Sequence, residues 1–177
     1  MKRIMFVCHG NICRSPMAEF IFKNIVKGKG LENDFLVVSR ATSTEEIRNG
    51  KGNPIHPLAV RELAIHRIAC TEKRAELLQK SDYDNYDLFI GMDSKNIKNM
   101  LVIFGDDKDN KVHKLLEYAP KPTVPHDPWF RGHEPKISND VADPWYHRRF
   151  DITYREIYFG CTELFKKLTE NDEKQTV

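Results

Sequence analysis

Long apolar runs are missing from this sequence. The first one, Ile4 to Val7, is far too short for the apolar core of a signal peptide. No other run approaches the roughly 20 residues that a membrane-spanning helix needs, so no membrane partner is expected. Blocks of like charge are missing as well. The 28 Lys and Arg nearly balance the 26 Asp and Glu, and the pair Arg148-Arg149 stands alone, so no nucleic-acid partner is expected. Cysteine is scarce: Cys8, Cys13, Cys70 and Cys161 are the four present. Without a leader or a span, the expected compartment is the cytoplasm, where thiols stay mostly reduced and no disulfide framework is expected. There is no internal repeat and no low-complexity tract. No cluster of His, Cys and carboxylates has metal-ligand spacing, so neither metal nor other cofactor is expected.

What is present is ordinary for a globular protein: 40% hydrophobic and 31% charged residues in a chain of 177. That length predicts one domain, here residues 1–170, followed by a polar, frayed tail at 171–177. Lys2 to Val7 reads as a buried strand broken by a His-Gly-Asn turn. Ser15-Pro16 reads as the N-cap and first residue of a helix that Gly28 and Gly30 end. Further strands are predicted at Phe35 to Ser39, Asp87 to Met92 and Lys111 to Leu116. Helices are predicted at Leu58 to Ile68, Glu72 to Gln79 and Ser94 to Phe104, with a long loop over Thr42 to Pro57. A last helix carries Phe150, Tyr154, Ile157, Tyr158, Cys161, Phe165 and Leu168 on one face. Alternating strands and helices predict an α/β fold: a four-stranded parallel sheet with helices on both faces, a flavodoxin-like three-layer arrangement. Such sheets bind ligands at the carboxyl ends of their strands.

Cys8 lies at such an end, in the stretch C-H-G-N-I-C-R-S from Cys8 to Ser15. If the loop closes on the first turn of the helix, the backbone N–H groups of His9, Gly10, Asn11, Ile12, Cys13 and Arg14 converge on one point. The helix N-terminus adds free donors and partial positive charge, which suits a phosphate-sized oxyanion. Gly10 lets the backbone curl, Asn11 tolerates a left-handed conformation, and Arg14 can close the ring with a bidentate fork. A thiolate at Cys8 would face the bound phosphoryl group as an in-line nucleophile. The constellation predicts phosphoryl transfer through a cysteinyl-phosphate.

The stretch C-H-G-N-I-C-R-S-P-M-A-E closely resembles the active-site loop and first helix of the low-molecular-weight protein tyrosine phosphatases. Ser39 and Thr42 in S-R-A-T-S, Met92-Asp93 with Asn96, and Val141 to Tyr146 in V-A-D-P-W-Y match other landmarks of that family in order. The resemblance runs from end to end of the chain. It implies Cys8 as nucleophile, Arg14 as phosphate ligand, and Asp143 as the general acid just before the last helix. It implies that Ser15 hydrogen-bonds the thiolate and that Asn11, Ser39 and His66 hold the loop in shape. Trp145 and Tyr146 would stack on the substrate ring, and the substrate would be a phosphotyrosine protein or another aryl phosphate. Cys13 matches the family's second loop cysteine, either a redox partner of Cys8 or a small residue filling space beneath the loop.

Two features depart from the family. Glu45 and Glu46 stand where an aromatic cleft wall is usual, and the segment Glu117 to Asp140 is proline-rich, with a second Asp-Pro-Trp at Asp127 to Trp129. Relay cysteines for arsenate reduction would need to be close together, whereas Cys70 and Cys161 are far apart in the chain. Protein arginine phosphatases typically carry Thr where this chain has Ile12, whose bulk favours a flat aryl group. A phosphopeptide-binding module without catalysis would have lost Cys8, Arg14 or the acid, and all three are present.

Overall fold

The computed structural model describes residues 1–70, 72–119 and 139–175. Four parallel strands form one sheet in the order β2-β1-β5-β6: β1 (Lys2–Cys8), β2 (Phe35–Ala41), β5 (Leu88–Gly91) and β6 (Val112–Lys114). β1 takes the centre because it is apolar on both faces. Ile4, Phe6 and Cys8 pack toward helices α1 (Arg14–Gly28), α2 (Pro57–Ile65) and α6 (Phe150–Gln175). Met5 and Val7 pack the other way, against α4 (Ser94–Phe104) and the short α3 (Asp82–Asn85) through Met100, Phe104 and Tyr83. A central parallel strand must be covered on both sides, which is why its sequence is a continuous apolar run. Among the described residues, no helix is long and apolar enough to cross a membrane.

The predicted layers and strands are present, and several boundaries move. The predicted helix at Glu72 to Gln79 does not form. Beyond the undescribed Thr71, this stretch is a strap along the free edge of β2, with isolated bridges Ala41↔Leu77 and Pro54↔Arg74. Ala41 N–H donates to Glu76 O at 2.7 Å, Leu78 N–H donates to Ala41 O at 2.9 Å, and Ala75 and Leu78 are buried. Each such hydrogen bond is worth about 1 kcal/mol, more than the few tenths per residue that separate helix propensities, so pairing with the sheet wins.

The predicted loop over Thr42 to Pro57 contains a hairpin, β3 (Ile47–Arg48) with β4 (Lys51–Gly52). Its turn is Asn49-Gly50, both at positive φ, a strong short-range hairpin signal that was open to a sequence reading. Predicted strand Lys111 to Leu116 narrows to β6 and then a 3-10 turn at Leu115–Glu117. The helix from residue 57 stops at Ile65, because Arg67 turns to positive φ. A single turn, α5 (Pro144–His147), precedes α6, whose backbone stays helical through the predicted frayed tail as far as Gln175. The second Asp-Pro-Trp, with Asp127, Trp129 and Phe130, lies outside the described residues.

Candidate active site

The carboxyl end of β1 turns into α1 through a loop whose backbone is set by Asn11, at φ +56. Asparagine adopts this left-handed conformation more readily than most residues, since its short side chain can bond locally. Here the side chain is fully engaged. Asn11 Nδ2 donates to Ser15 Oγ at 2.9 Å and to Ser39 Oγ at 2.8 Å, while its Oδ1 accepts the N–H of Glu76 at 3.0 Å. Ser39 Oγ donates in turn to the buried carboxylate of Glu19 at 2.6 Å, and Lys23 pairs with the other oxygen of Glu19. One asparagine thus ties the loop to α1, to β2 and to the strap along β2.

Cys8 is almost wholly buried beneath this loop. Its Sγ lies 3.0 Å from Ser15 Oγ and accepts the Asn11 N–H at 3.3 Å. Helix α1 begins at Arg14, two residues earlier than Ser15-Pro16 predicts, with Cys13 as an N-cap that makes no side-chain cap bond. Ser15 therefore lies inside the first turn, where its hydroxyl reaches Cys8. Pro16 is tolerated there because the first-turn N–H groups have no helical partner. Gly10 is packed from above: a Cβ on it would meet Glu46 Cγ at 2.9 Å.

Arg14 is 4% exposed. Burying an unpaired guanidinium would cost several kcal/mol, so the charge requires partners. It has two: Nη1 lies 2.6 Å from Asp93 Oδ2 and Nη2 lies 2.6 Å from Asp143 Oδ2. Burial pulls the pKa of Arg14 down, but Cys8, Asp143 and Asp93 outweigh it and leave it raised. Asp93 is the N-cap of α4, its Oδ1 accepting the Asn96 N–H at 2.7 Å. Asp143 is the N-cap of α5, its Oδ1 accepting the Trp145 N–H at 3.0 Å. The two loops at the carboxyl end of the sheet thereby hold one guanidinium between them. Cys13, by contrast, is pushed up to about 12, first by burial and then by the neighbouring Cys8 and Asp143, so it stays a thiol at neutral pH.

A low-dielectric loop of backbone donors, a buried sulfur and a fixed arginine is a site for a tetrahedral oxyanion. A family model described as low molecular weight phosphotyrosine protein phosphatase matches residues 3–175. The chain belongs to this family. It is 31% identical over 175 residues to the low molecular weight protein-tyrosine-phosphatase YfkJ of Bacillus subtilis, covering 99% of each chain. It is 34% identical over 170 residues to the low molecular weight phosphotyrosine protein phosphatase of Gallus gallus, covering 96% of this chain and 95% of that one. The crystal structure of YfkJ superposes with a TM-score of 0.83 at 29% identity, over 97% of this chain and 96% of that one. That of SP-PTP, the low molecular weight protein tyrosine phosphatase of Streptococcus pyogenes, superposes with a TM-score of 0.76 at 34% identity, over 95% and 93%.

Set in this phosphatase fold, the predicted residues divide. Cys8, Asn11, Cys13, Arg14, Ser15, Ser39 and Asp143 come together as described. Ile12 joins them through its backbone, its carbonyl accepting the His56 N–H at 2.8 Å. His9 points its Nε2 at Glu45 Oε2, 2.9 Å away, so Glu45 extends from the loop rim into solvent rather than forming a wall. Glu46 instead accepts from Asn53 Nδ2 at 2.7 Å.

His66 is a correction. Its ring stacks on Tyr154 at 3.6 Å and its Nε2 faces Glu62 at 3.3 Å; these are its partners, not Asn11, Ser15 or Ser39. It lies exposed at the end of α2 with one ring face on Tyr154 of α6, and a bond that ties the loop through Asn11 comes from the Glu76 backbone instead. Trp145 and Tyr146 are 66% and 86% exposed and have no ring partner among the described residues. Glu19 is a site residue that the sequence reading passes over, and Asp93 is one that it marks as a landmark without a role. Glu19 had a signal, a carboxylate between the core residues Met17, Phe20 and Ile21 of an otherwise apolar stretch. Asp93 had the signal of a helix cap, which says nothing about its second oxygen.

Proposed function

We propose that this protein hydrolyses phosphotyrosine in protein substrates through a cysteinyl-phosphate, with Cys8 as nucleophile, Arg14 as phosphate ligand and Asp143 as general acid. The observation that carries the reading is a buried Cys8 Sγ that accepts the Asn11 N–H and lies 3.0 Å from Ser15 Oγ, together with a buried Arg14 guanidinium held at 2.6 Å by both Asp93 and Asp143. The three non-bridging phosphate oxygens take the loop donors and the Arg14 fork, which stabilise the charge that develops in the transition state. The Cys8 thiolate attacks phosphorus, the bond to the tyrosyl oxygen breaks, and Asp143 in its protonated form gives its proton to that oxygen. Phosphate bound to Arg14 displaces the Asp143 carboxyl from Nη2 and leaves it beside the departing group. Water then attacks the cysteinyl-phosphate, Asp143 takes the proton back, and the S–P bond breaks to release phosphate.

Ser15 donates its hydroxyl hydrogen to the thiolate, which has none to give, while its oxygen accepts from Asn11 Nδ2. Burial of the sulfur at the foot of the loop supports an aryl ester over a serine phosphate, whose shorter side chain falls short of it. The test is turnover of p-nitrophenyl phosphate in the presence of a metal chelator, with rapid acid quench to trap a phosphoenzyme. Stoichiometric label on Cys8 is expected; turnover without any label on Cys8 would overturn the mechanism.

A further inference from the structure

A groove borders the phosphate loop on the side of α5, lined by His56, Leu58, Pro144, Trp145, Arg148 and Phe150. It is joined to the site at two points. His56 N–H holds the carbonyl of Ile12, and Pro144 directly follows Asp143, which grips Arg14. A peptide chain leaving a phosphotyrosine seated in the loop on this side runs along the groove.

The lining has a definite chemistry. Leu58, Pro144 and Phe150 make an apolar floor, and Trp145 stands exposed beside it. Two groups carry donors. Arg148 caps α5 in the left-handed region, at φ +55, and is exposed. Among the described residues its guanidinium has no carboxylate partner, whereas neighbouring Arg149 is paired with Asp151 at 2.8 Å. His56 stacks on Phe150 at 5.3 Å, and its Nδ1 accepts the Leu58 N–H at 3.2 Å. That bond fixes the neutral tautomer with its hydrogen on Nε2, a second donor. None of the lining residues is acidic, and the adjacent Asp143 is uncharged when it acts as the general acid in the complex proposed above.

We propose that this groove is a specificity subsite for an acidic residue flanking the phosphotyrosine, its carboxylate on Arg148 and His56 Nε2 and its methylenes on Trp145 and Phe150. The proposal rests on the phosphotyrosine reading above. A single exposed ion pair is worth up to about 1 kcal/mol, so the expected preference is about fivefold in kcat/KM, and it shrinks in high salt.

The experiment compares a phosphotyrosine peptide carrying alanine at every flanking position with a set in which one Glu is moved from four residues before to four residues after the phosphotyrosine. Each rate is divided by the same enzyme's rate on free phosphotyrosine. The expected result is one favoured position, with the preference abolished in Arg148→Asn, which keeps a residue suited to positive φ, and reversed in Arg148→Glu. Hydrolysis of free phosphotyrosine with no favoured position, or with a preference that survives in Arg148→Glu, overturns the subsite. Failure to hydrolyse free phosphotyrosine at all overturns the phosphotyrosine reading instead.

Discussion

Two strand-to-helix loops sit side by side at the carboxyl end of the sheet, and they are opposites. The loop from β5 into α4 is closed by its own side chains. Asp93 caps the Asn96 N–H, and Asn96 Oδ1 accepts the Asp93 N–H at 3.2 Å, a reciprocal capping box. The loop from β1 into α1 has Cys13 at the N-cap with no side-chain bond, and Asn11 curls the backbone while spending its own side chain elsewhere. A helix N-terminus is a general anion attractor, but only the one whose cap is withheld has donors left for a ligand. The closed loop still contributes: the second oxygen of its cap holds Arg14 over the open one.

The largest effect that this contrast predicts is at the open loop. Cys8→Ser is expected to reduce hydrolysis to background while phosphate still binds, because a hydroxyl is a poor nucleophile at neutral pH and the backbone donors remain. Rate measurement with phosphate titration by calorimetry checks it; hydrolysis above background in this variant rules out Cys8 as nucleophile. Next comes the acid. Asp143→Asn is expected to lower kcat by about 10²–10⁴-fold with a poor leaving group and by less with a good one. Asp127→Asn is expected to lower it by less than about fivefold, below that range. A large, leaving-group-dependent loss in Asp127→Asn alone would reassign the acid.

Asp93 sharpens the comparison, since one side chain serves both loops. Asp93→Asn keeps a competent cap and loses the charge on Arg14. Asp93→Ala loses both. Both variants are expected to lose about 10–100-fold in kcat/KM as Arg14 drifts from its aim. Only Asp93→Ala is expected to lose about 1 kcal/mol of stability as well, read by urea unfolding. Equal stability in the two variants would show that the cap of α4 is not held by this side chain.

The smallest effect lies at the start of α6. Hydrogen bonding from Arg149 leads in holding Asp151 down to about 2. A carboxylate with a depressed folded pKa stabilises the fold above its unfolded value, near 4, and that stability is lost as pH falls from about 4 towards 2. The pair is largely exposed, so the contribution is well under about 1 kcal/mol. Asp151→Asn is expected to lose that small contribution at pH 7 and to flatten the stability profile between pH 4 and 2, converging with the parent protein at the acid end, as read by thermal melts from pH 7 to 2.

Much of this was legible in the order of residues. The apolar run at Ile4 to Val7 determined a central strand, because only a strand buried on both faces needs an unbroken apolar run. The residues from Cys8 to Ser15 determined the oxyanion loop, because glycine, asparagine and an arginine at the helix start are local backbone and charge requirements. The Asn49-Gly50 hairpin was legible on the same local grounds. The strap at 72–79 was not, because Ala75 and Leu78 are three residues apart, a spacing that fits a short helix, and only the free edge of β2 recruits its backbone. Nor was the fate of His66: Glu62 is one turn back on α2, but the ring partner Tyr154 depends on how α6 lies against α2. The grip on Arg14 is the strongest case. Asp93 and Asp143 lie 79 and 129 residues beyond it in the chain, each is legible alone as the cap of its own helix, and only the parallel sheet brings both to the same guanidinium. Sequence determines what is settled within a turn of backbone; the tertiary structure decides which distant charges meet, because burying Arg14 is tolerable only where two carboxylates arrive with it.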